Sequence, residues 1–373
     1  MKLSDFDYYL PKNLIAQQPM QQRDHSRLLI FNRKNKTIEH KHFYNITDYL
    51  QAGDVVVLNN SKVFPARLIG QKKETKGKVE IFLLENLKGR EWQCLVGGAN
   101  KEELEVEFPP FVPTGVGTTE DKHKKLNCQL IKNNQDGTWL VKFNKNKNEV
   151  LKIAEQIGKV PTPPYIKKLP NNLKQKYQTV FADAGKVGSV AAPTAGFHFT
   201  KNLINKLKKQ GVQFEYITLH VGMGTFAPVK IDNIKKHQMH SERVEVDKAT
   251  AQRIITAKQE KRRIIAVGTT SVRTLEGAVA QYLDVKKACL PVGRFNNIKT
   301  TINIFIYPGF KFKIVDAMIT NFHLPKSTLL MLISAFIDNQ NKNKGIALVK
   351  NIYQEAIKKK YRFFSFGDGM LIE

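Results

Sequence analysis

The run Arg263-Ile264-Ile265-Ala266-Val267-Gly268-Thr269-Thr270-Ser271-Val272-Arg273 decides the fold class. Its apolar first half reads as a buried strand, and Gly268 lets the chain turn sharply out of it. The hydroxyls and Arg273 then open a helix expected to reach Tyr282. A strand handing over to a helix is the repeating unit of a layered α/β protein. The same alternation runs on either side. Thr200 is placed to cap a helix through Gln210, with Gly211 as its stop; residues 212–221 read as a strand, and Asp247 caps a second helix to about Lys261. Further on, 303–307 and 313–319 read as strands around a Pro308-Gly309 turn, 327–337 and 346–359 as helices, and 363–366 as a last strand.

Upstream, 28–31 and 37–43 read as a hairpin, 46–51 as a helical turn stopped by Gly53, and 54–58 as a strand opening into Asn59-Asn60-Ser61. Between 66 and 144 the texture changes. Short strands at 66–70, 78–84, 91–96, 103–108, 127–131 and 138–143 are separated by Gly- and Asn-rich turns, without helical periodicity. That spacing suggests a small antiparallel barrel or sandwich. Val160-Pro161-Thr162-Pro163-Pro164-Tyr165 reads as the linker back. The expectation is an α/β main domain with a mixed sheet, residues 1–65 and 151–373, carrying an inserted small antiparallel β-barrel domain at 66–150.

With 42% hydrophobic and 25% charged residues over 373, the chain has the make-up of a soluble globular protein. No apolar run approaches the roughly 20 residues of a membrane span. Residues 1–10 carry Asp5 and Asp7 and lack an apolar signal core, so no secretory leader is expected. Cys94, Cys128 and Cys289 are too few and scattered for a disulfide framework or a cysteine zinc site, which points to the reducing cytoplasm. The net charge of +27 draws polyanions, RNA foremost. Because 48 of the 60 basic residues are Lys and Asn is common, a genome biased toward A and T accounts for the same charge without binding.

Residues able to do chemistry gather at strand ends, where open α/β sheets hold ligands. Gly188-Ser189-Val190-Ala191-Ala192-Pro193-Thr194-Ala195-Gly196-Phe197-His198 combines small residues, which admit a ligand to the backbone, with a titratable His198; a tight loop around a packed histidine explains it equally well. His220-Val221-Gly222-Met223-Gly224-Thr225 has the glycines of a cofactor turn, but Pro228 and Val229 replace the helix that a dinucleotide fingerprint needs. His237 and His240 are spaced to share a helix face. With few carboxylate or thiolate neighbours, an acid/base pair of His240 and Glu242 is the better reading than a metal site, against a solvated turn as the plain one. Thr269, Thr270, Ser271 and Arg273 at a helix start suit an anion, whereas simple N-capping needs no Arg273. Asn321, His323 and Asp368 stand just past apolar runs, as residues of ordinary turns also do.

Taken in order, these blocks resemble the signature of the S-adenosylmethionine:tRNA ribosyltransferase-isomerases. The likeness covers 188–199, 219–226, 237–242, 268–276, 304–310, 320–335 and 361–371, and also Asp5-Phe6-Asp7-Tyr8-Tyr9-Leu10-Pro11 and Asn59-Asn60-Ser61-Lys62-Val63-Phe64-Pro65-Ala66-Arg67. Departures are Phe197 where Leu is usual, Phe366 where Tyr is common, Gly369 for a usual Ala, and a missing basic, Pro-containing run after Trp92. The resemblance implies an α/β fold with an inserted barrel. It also implies a step of queuosine biosynthesis: the ribosyl part of S-adenosylmethionine is transferred and isomerised onto 7-aminomethyl-7-deazaguanine at the tRNA wobble position, giving epoxyqueuosine and releasing adenine and methionine. S-adenosylmethionine is then a co-substrate, the tRNA anticodon arm the partner, no metal is needed, and a monomer is expected. The candidate catalytic residues are His198, His220, His240 and Glu242. Candidate substrate contacts are Thr194, Gly196, Gly222, Gly224, Thr225, Thr269, Thr270, Ser271, Arg273, Asn321, His323 and Asp368. A conventional tRNA methyltransferase and a non-catalytic RNA-binding module are the rival readings; release of free adenine separates them from the first.

Overall fold

Ile264–Val267 is a fully buried strand, and Gly268, at φ +82°, turns the chain from it straight into a helix. A computed structural model of the protein describes residues 1–110, 125–161, 165–166, 173–222, 229, 231–283, 296–338 and 342–373. The chain divides into a unit of Met1–Lys62, Pro163–Lys186 and Ala192–Glu373 and a unit of Val63–Thr162 and Val187–Ala191.

The first strands are β1 (Arg27–Phe31), β2 (Ile38–His42), β3 (Val55–Asn59) and the short β4 (Lys62–Val63). Then come β5 (Arg67–Lys72), β6 (Lys78–Lys88), β7 (Glu91–Gly97), β8 (Glu105–Glu107), β9 (Asn127–Asn133) and β10 (Trp139–Phe143). These last six close into an antiparallel barrel in the order β10-β7-β6-β5-β8-β9. Strand alternation sends Val79, Ile81, Leu83, Val106, Leu130 and Val141 to its fully buried interior. Closure also removes the exposed edges that short strands would otherwise offer. Helix α1 (Lys147–Ile157) is capped by Asn146 and ends at Gly158, where a Cβ would fall 2.2 Å from the Pro65 carbonyl oxygen.

The remaining elements are α2 (Leu173–Lys176), β11 (Val187–Ser189, paired with β4), α3 (Lys201–Lys209), β12 (Gln213–Leu219), β13 (Glu242–Val246), α4 (Lys248–Gln259), β14 (Ile264–Val267), α5 (Gly268–Thr274), β15 (Ile298–Ile302), β16 (Ala317–Asn321), α6 (Thr328–Ile337), α7 (Lys342–Lys358) and β17 (Gly369–Ile372). Nine strands build one mixed sheet in the order β15-β13-β12-β3-β14-β16-β17-β1-β2. Its centre, β12-β3-β14-β16, is parallel, and β13, β17 and β2 each run antiparallel to a neighbour. Leu203, Ile204 and Leu207 of α3 pack on Val56, Leu58, Ile265, Val267 and Ile319. The alternate residues Val55, Val57, Ile264 and Met318 point to the other face and are as fully buried, so both faces are covered.

The helix punctuation follows the sequence. Thr200 Oγ1 accepts from Leu203 N at 3.1 Å, Asp247 Oδ1 from Thr250 N at 2.8 Å and Ser327 Oγ from Leu330 N at 3.2 Å, while Gly211 stops α3 at φ +85°. Several expected strands lie elsewhere. Residues 313–315 send their three N–H groups to the Glu276 carboxylate at 2.8, 2.9 and 2.9 Å, so they join no ladder and the strand begins only at Ala317. The strand before it is Ile298–Ile302, not 303–307. At 363–366 Phe363 makes only an isolated bridge to Ile15, Phe364 is left-handed at φ +76°, and the last strand is Gly369–Ile372. His237 and His240 share no helix face: Asn233 caps a single 3-10 turn, Ile234–Lys236, and the chain beyond it is irregular. The helix opened by Gly268 has no side-chain cap from Thr270 or Ser271; it passes through a π turn at Leu275–Val279 and reaches Tyr282 as a 3-10 turn.

Candidate active site at the carboxyl edge of the parallel strands

The register of the sheet brings distant segments to one edge. The parallel strands β12, β3, β14 and β16 end there; β13 and β17, running the other way, begin there, and so does β1, parallel to β17. His220, Asn59–Ser61, Gly268–Arg273 and Asn321 therefore follow strands at the edge where Glu242, Asp368 and Ser26 precede them. Sequence separation is no obstacle to this, since open parallel sheets collect functional groups at that edge.

His198 closes the 3-10 turn Thr194–His198. Its ring stacks on Phe43, centroids 4.8 Å apart, and its Nδ1 lies 2.7 Å from Ser26 Oγ. Burial, then Arg362 and Arg23, push its pKa down to about 3, with the Asn321 amide acting the other way. His198 is thus a neutral imidazole whose buried Nε2 has no hydrogen-bond partner among the described residues. Gly369 stands where the resemblance expects Ala, and a Cβ there would sit 3.4 Å from that nitrogen.

His220 stands in a different setting. Its Nε2 is 3.7 Å from Glu245 Oε1, and its buried Nδ1 has no partner among the described residues. Burial and Arg243 push its pKa down to about 4, while Glu245 favours the charged form. Burial would raise the Glu245 carboxyl, but Lys186, 2.8 Å away, with His220 and Arg243 holds it below the ordinary range. Glu242 carries its carboxylate to Arg273 instead of His240, in a short, buried ion pair. Arg273 Nε and its second terminal nitrogen, and Thr270 Oγ1, are buried with no hydrogen-bond partner among the described residues. Because side chains alternate along β13, Glu245 and Glu242 project from opposite faces of the sheet. The His220 and Arg273 clusters therefore flank one edge from two sides. His198 lies by β17, four strands from β12, or about 19 Å at ~4.8 Å per strand, so the histidines do not form one cluster.

Other nominated residues have work within the fold. His323 Nε2 lies 3.0 Å from Thr320 Oγ1, its N–H donates to Tyr353 Oη at 3.1 Å, and its carbonyl accepts from Tyr8. Burial pushes its pKa down to about 3. Asp368 accepts from Arg27 N at 3.0 Å and Arg362 N at 2.8 Å, tying the start of β1 to the turn before β17; burial raises its pKa against those two bonds. Asn321 Nδ2 donates to the Phe364 carbonyl at 2.9 Å, and its buried Oδ1 has no partner among the described residues. Ser271 Oγ donates back to the Val267 carbonyl at 2.8 Å. A Cβ on Gly196 would meet Phe181 at 2.6 Å, so that glycine serves packing, whereas Gly222 has open space around it. Thr194 is half-buried, Thr269 is buried beside Thr270, and His240 is exposed. Gly224 and Thr225 lie outside the described residues.

Sequence reasoning missed Ser26, Lys186, Glu245 and Glu276. Glu245 carried a signal, two residues from Arg243 on a strand that starts with Glu242; Ser26 and Lys186 had none, since the pairing of β1 with β17 brings in the one and a 3-10 turn far from β13 in sequence carries the other. A cavity of about 460 Å³ adjoins this edge, lined by Asn60, Phe181, Asp183, Lys201, Asn205 and Tyr216 among others, and by none of the nominated catalytic residues. Among the described residues, no three His, Cys, Asp or Glu side chains are grouped to hold a metal ion, and no helix is long and apolar enough to cross a membrane.

Fold and site together define an α/β protein with polar and charged groups gathered at the edge of a sheet. Residues 3–372 match the family model described as queuosine biosynthesis protein. An S-adenosylmethionine:tRNA ribosyltransferase-isomerase of Sulfurihydrogenibium sp. is 46% identical over 377 residues, covering 100% of both chains. The enzyme of the same name from Fusobacterium nucleatum subsp. nucleatum is 46% identical over 371 residues, 99% of this chain and 96% of that one. The crystal structure of S-adenosylmethionine tRNA ribosyltransferase from Thermotoga maritima is 38% identical, covers 99% of this chain and 100% of that one, and superposes with a TM-score of 0.52. The chain belongs to the S-adenosylmethionine:tRNA ribosyltransferase-isomerase family of queuosine biosynthesis.

Proposed function

We propose that the protein acts in the cytoplasm, as a monomer, on tRNA carrying 7-aminomethyl-7-deazaguanine at the wobble position. It transfers and isomerises the ribosyl group of its co-substrate S-adenosylmethionine and releases adenine and methionine. The sulfonium makes the adjacent C5′–H acidic. A base takes that proton; the pair left on C5′ forms a C4′=C5′ bond as C4′–O4′ breaks, the ring oxygen becomes a C1′ carbonyl, and adenine leaves with the electrons of its C1′–N bond and takes up a proton. The amine of the modified base then adds to C4′, the pair returned to C5′ closes onto C1′, and the oxygen there displaces methionine, which leaves with the electrons of its C5′–S bond. Of the histidines, His220 suits the base. Its Nδ1 has no partner among the described residues, and Glu245 beside Nε2 stabilises the imidazolium formed when Nδ1 takes the proton. His198 faces Arg362 and Arg23, which oppose any positive charge, so it serves as a neutral hydrogen-bonding group. Arg273, its remaining N–H groups unpaired, and Thr270 would hold an anionic group such as the methionine carboxylate. No step calls on a metal.

The observation that carries this reading is the pairing of His220 with Glu245 at the edge where Arg273 keeps unused donors. Free adenine is assayed after incubation with S-adenosylmethionine and tRNA bearing the modified base. The wild type is expected to release adenine, and His220→Asn to slow release by about 10²–10⁴-fold, the usual worth of a general base. Arg273→Lys is expected to raise KM for S-adenosylmethionine. S-adenosylhomocysteine as product, or normal turnover by His220→Asn, would overturn the assignment.

A further inference from the structure

The cavity beside β12 belongs to none of the groups used above. Its walls are the half-buried rings of Phe181 and Tyr216, centroids 6.1 Å apart and inclined by 47°. Around them stand Asn60, Asp183, Lys201 and Asn205. Much of this polar equipment is unused by the fold: no side-chain hydrogen bond among the described residues engages Lys201, Asn205 or the Tyr216 hydroxyl. Among the described residues, the Asn60 side chain accepts only from Thr218 Oγ1, at 2.7 Å, and Asp183 Oδ1 accepts only a local bond from Gly185 N at 2.8 Å. Lys201 and Asn205, one turn apart on α3, face the same groove; the helix adds Lys206, Lys208 and Lys209, all exposed, and carries no acid.

Aromatic walls, amide donors and acceptors, and a cationic rim are what a single-stranded nucleotide needs: a face to stack on, edges to pair with and a phosphate partner. A volume of about 460 Å³ matches one nucleoside with some water. Tyr216 lies in β12 and His220 directly follows that strand, four residues on, so the two backbones are at most about 14 Å apart at ~3.4 Å per residue. A nucleotide near the reacting one in the same RNA strand can span that distance.

We infer that this groove is a second nucleotide-binding subsite, holding one unmodified nucleotide of the tRNA anticodon loop against the exposed side of the Phe181 and Tyr216 rings with its phosphate on Lys201. The inference rests on tRNA being the substrate. Asp183, the one acid among these residues, accepts from an exocyclic amino group of the base.

The test uses the full-length protein and anticodon stem-loops in which 2-aminopurine replaces each loop nucleotide in turn, the wobble position excepted. One position is expected to show quenched emission on binding, with the quenching lost in Phe181→Leu. Lys201→Glu, a surface change on α3, is expected to weaken stem-loop binding on the order of tenfold, flatten its salt dependence by about one unit of slope, and leave KM for S-adenosylmethionine unchanged. Thermal melts check that both variants fold, and Lys201→Glu carries the test should Phe181→Leu unfold. If no position responds, or if both variants bind like the wild type, the subsite is wrong even where the wild type releases adenine. If the wild type releases no adenine but the position-specific quenching and its loss are seen, the subsite stands and the reaction reading falls.

Discussion

At the residue scale, the histidines differ by what faces them. His220 has a carboxylate beside Nε2 and a pKa pushed down to about 4, so it is a neutral base above that value and is lost as a base below it. The lower limb of the kcat/KM profile is expected near pH 4, flat above about 5 on this account. Glu245→Gln removes the group that favours the protonated ring, so the limb should move to still lower pH while the plateau falls; an unmoved limb would separate Glu245 from the histidine. His198 and His323 carry a stability consequence. Both are pushed down to about 3 from an ordinary value near 6.5, so the unfolded chain binds the protons the folded one refuses. Their contribution is whole above about 6.5 and drains away as pH falls toward 3. Melting temperature should therefore fall steadily from pH 7 to pH 4, and His323→Gln should flatten that slope even if it lowers the starting value.

At the element scale, carboxylates hold segments that no ladder holds. Glu276 gathers the N–H groups of three consecutive residues at 2.8–2.9 Å, and burial raises its pKa despite them. Glu276→Ala leaves those donors buried and unpaired, and urea denaturation should show a loss of at least about 2 kcal/mol. Glu242→Ala strands the Arg273 charge and should cost about 3–5 kcal/mol in the same assay. The same elements mark what was legible beforehand. The alternation of strand and helix, the caps at Thr200, Asp247 and Ser327 and the barrel texture are local, written in neighbouring residues. The strand misplaced at 313–319 was not legible: its apolar pattern is real, but a side chain 37 residues upstream takes its hydrogen bonds. The pairing of His220 with Glu245 also depends on a register between β12 and β13 that spacing alone does not give, and Arg273 claims the Glu242 that sequence spacing offered to His240.

At the scale of the whole molecule, a charge of +27 sets how the protein meets RNA. If about six phosphates are contacted, stem-loop affinity should fall on the order of 10³-fold between 50 and 200 mM salt; a response flatter than tenfold would mean that lysines contribute little. The position of β17 has its own consequence. Gly369 pairs with Leu28 on one side and Asn321 on the other, so among the described residues the β1–β2 hairpin is joined to the rest of the sheet only through a strand made from 369–372. During translation at 5–20 residues per second, that hairpin waits roughly 20–70 s beside an empty lane before its neighbour emerges from the ribosome. Through that interval Leu28, Leu29, Ile30 and Phe31, all fully covered in the finished sheet, lack their partner strand. The nascent chain thus carries this apolar strand open on one side until its last segment is made, and deletion of the last five residues should leave a product that aggregates on release.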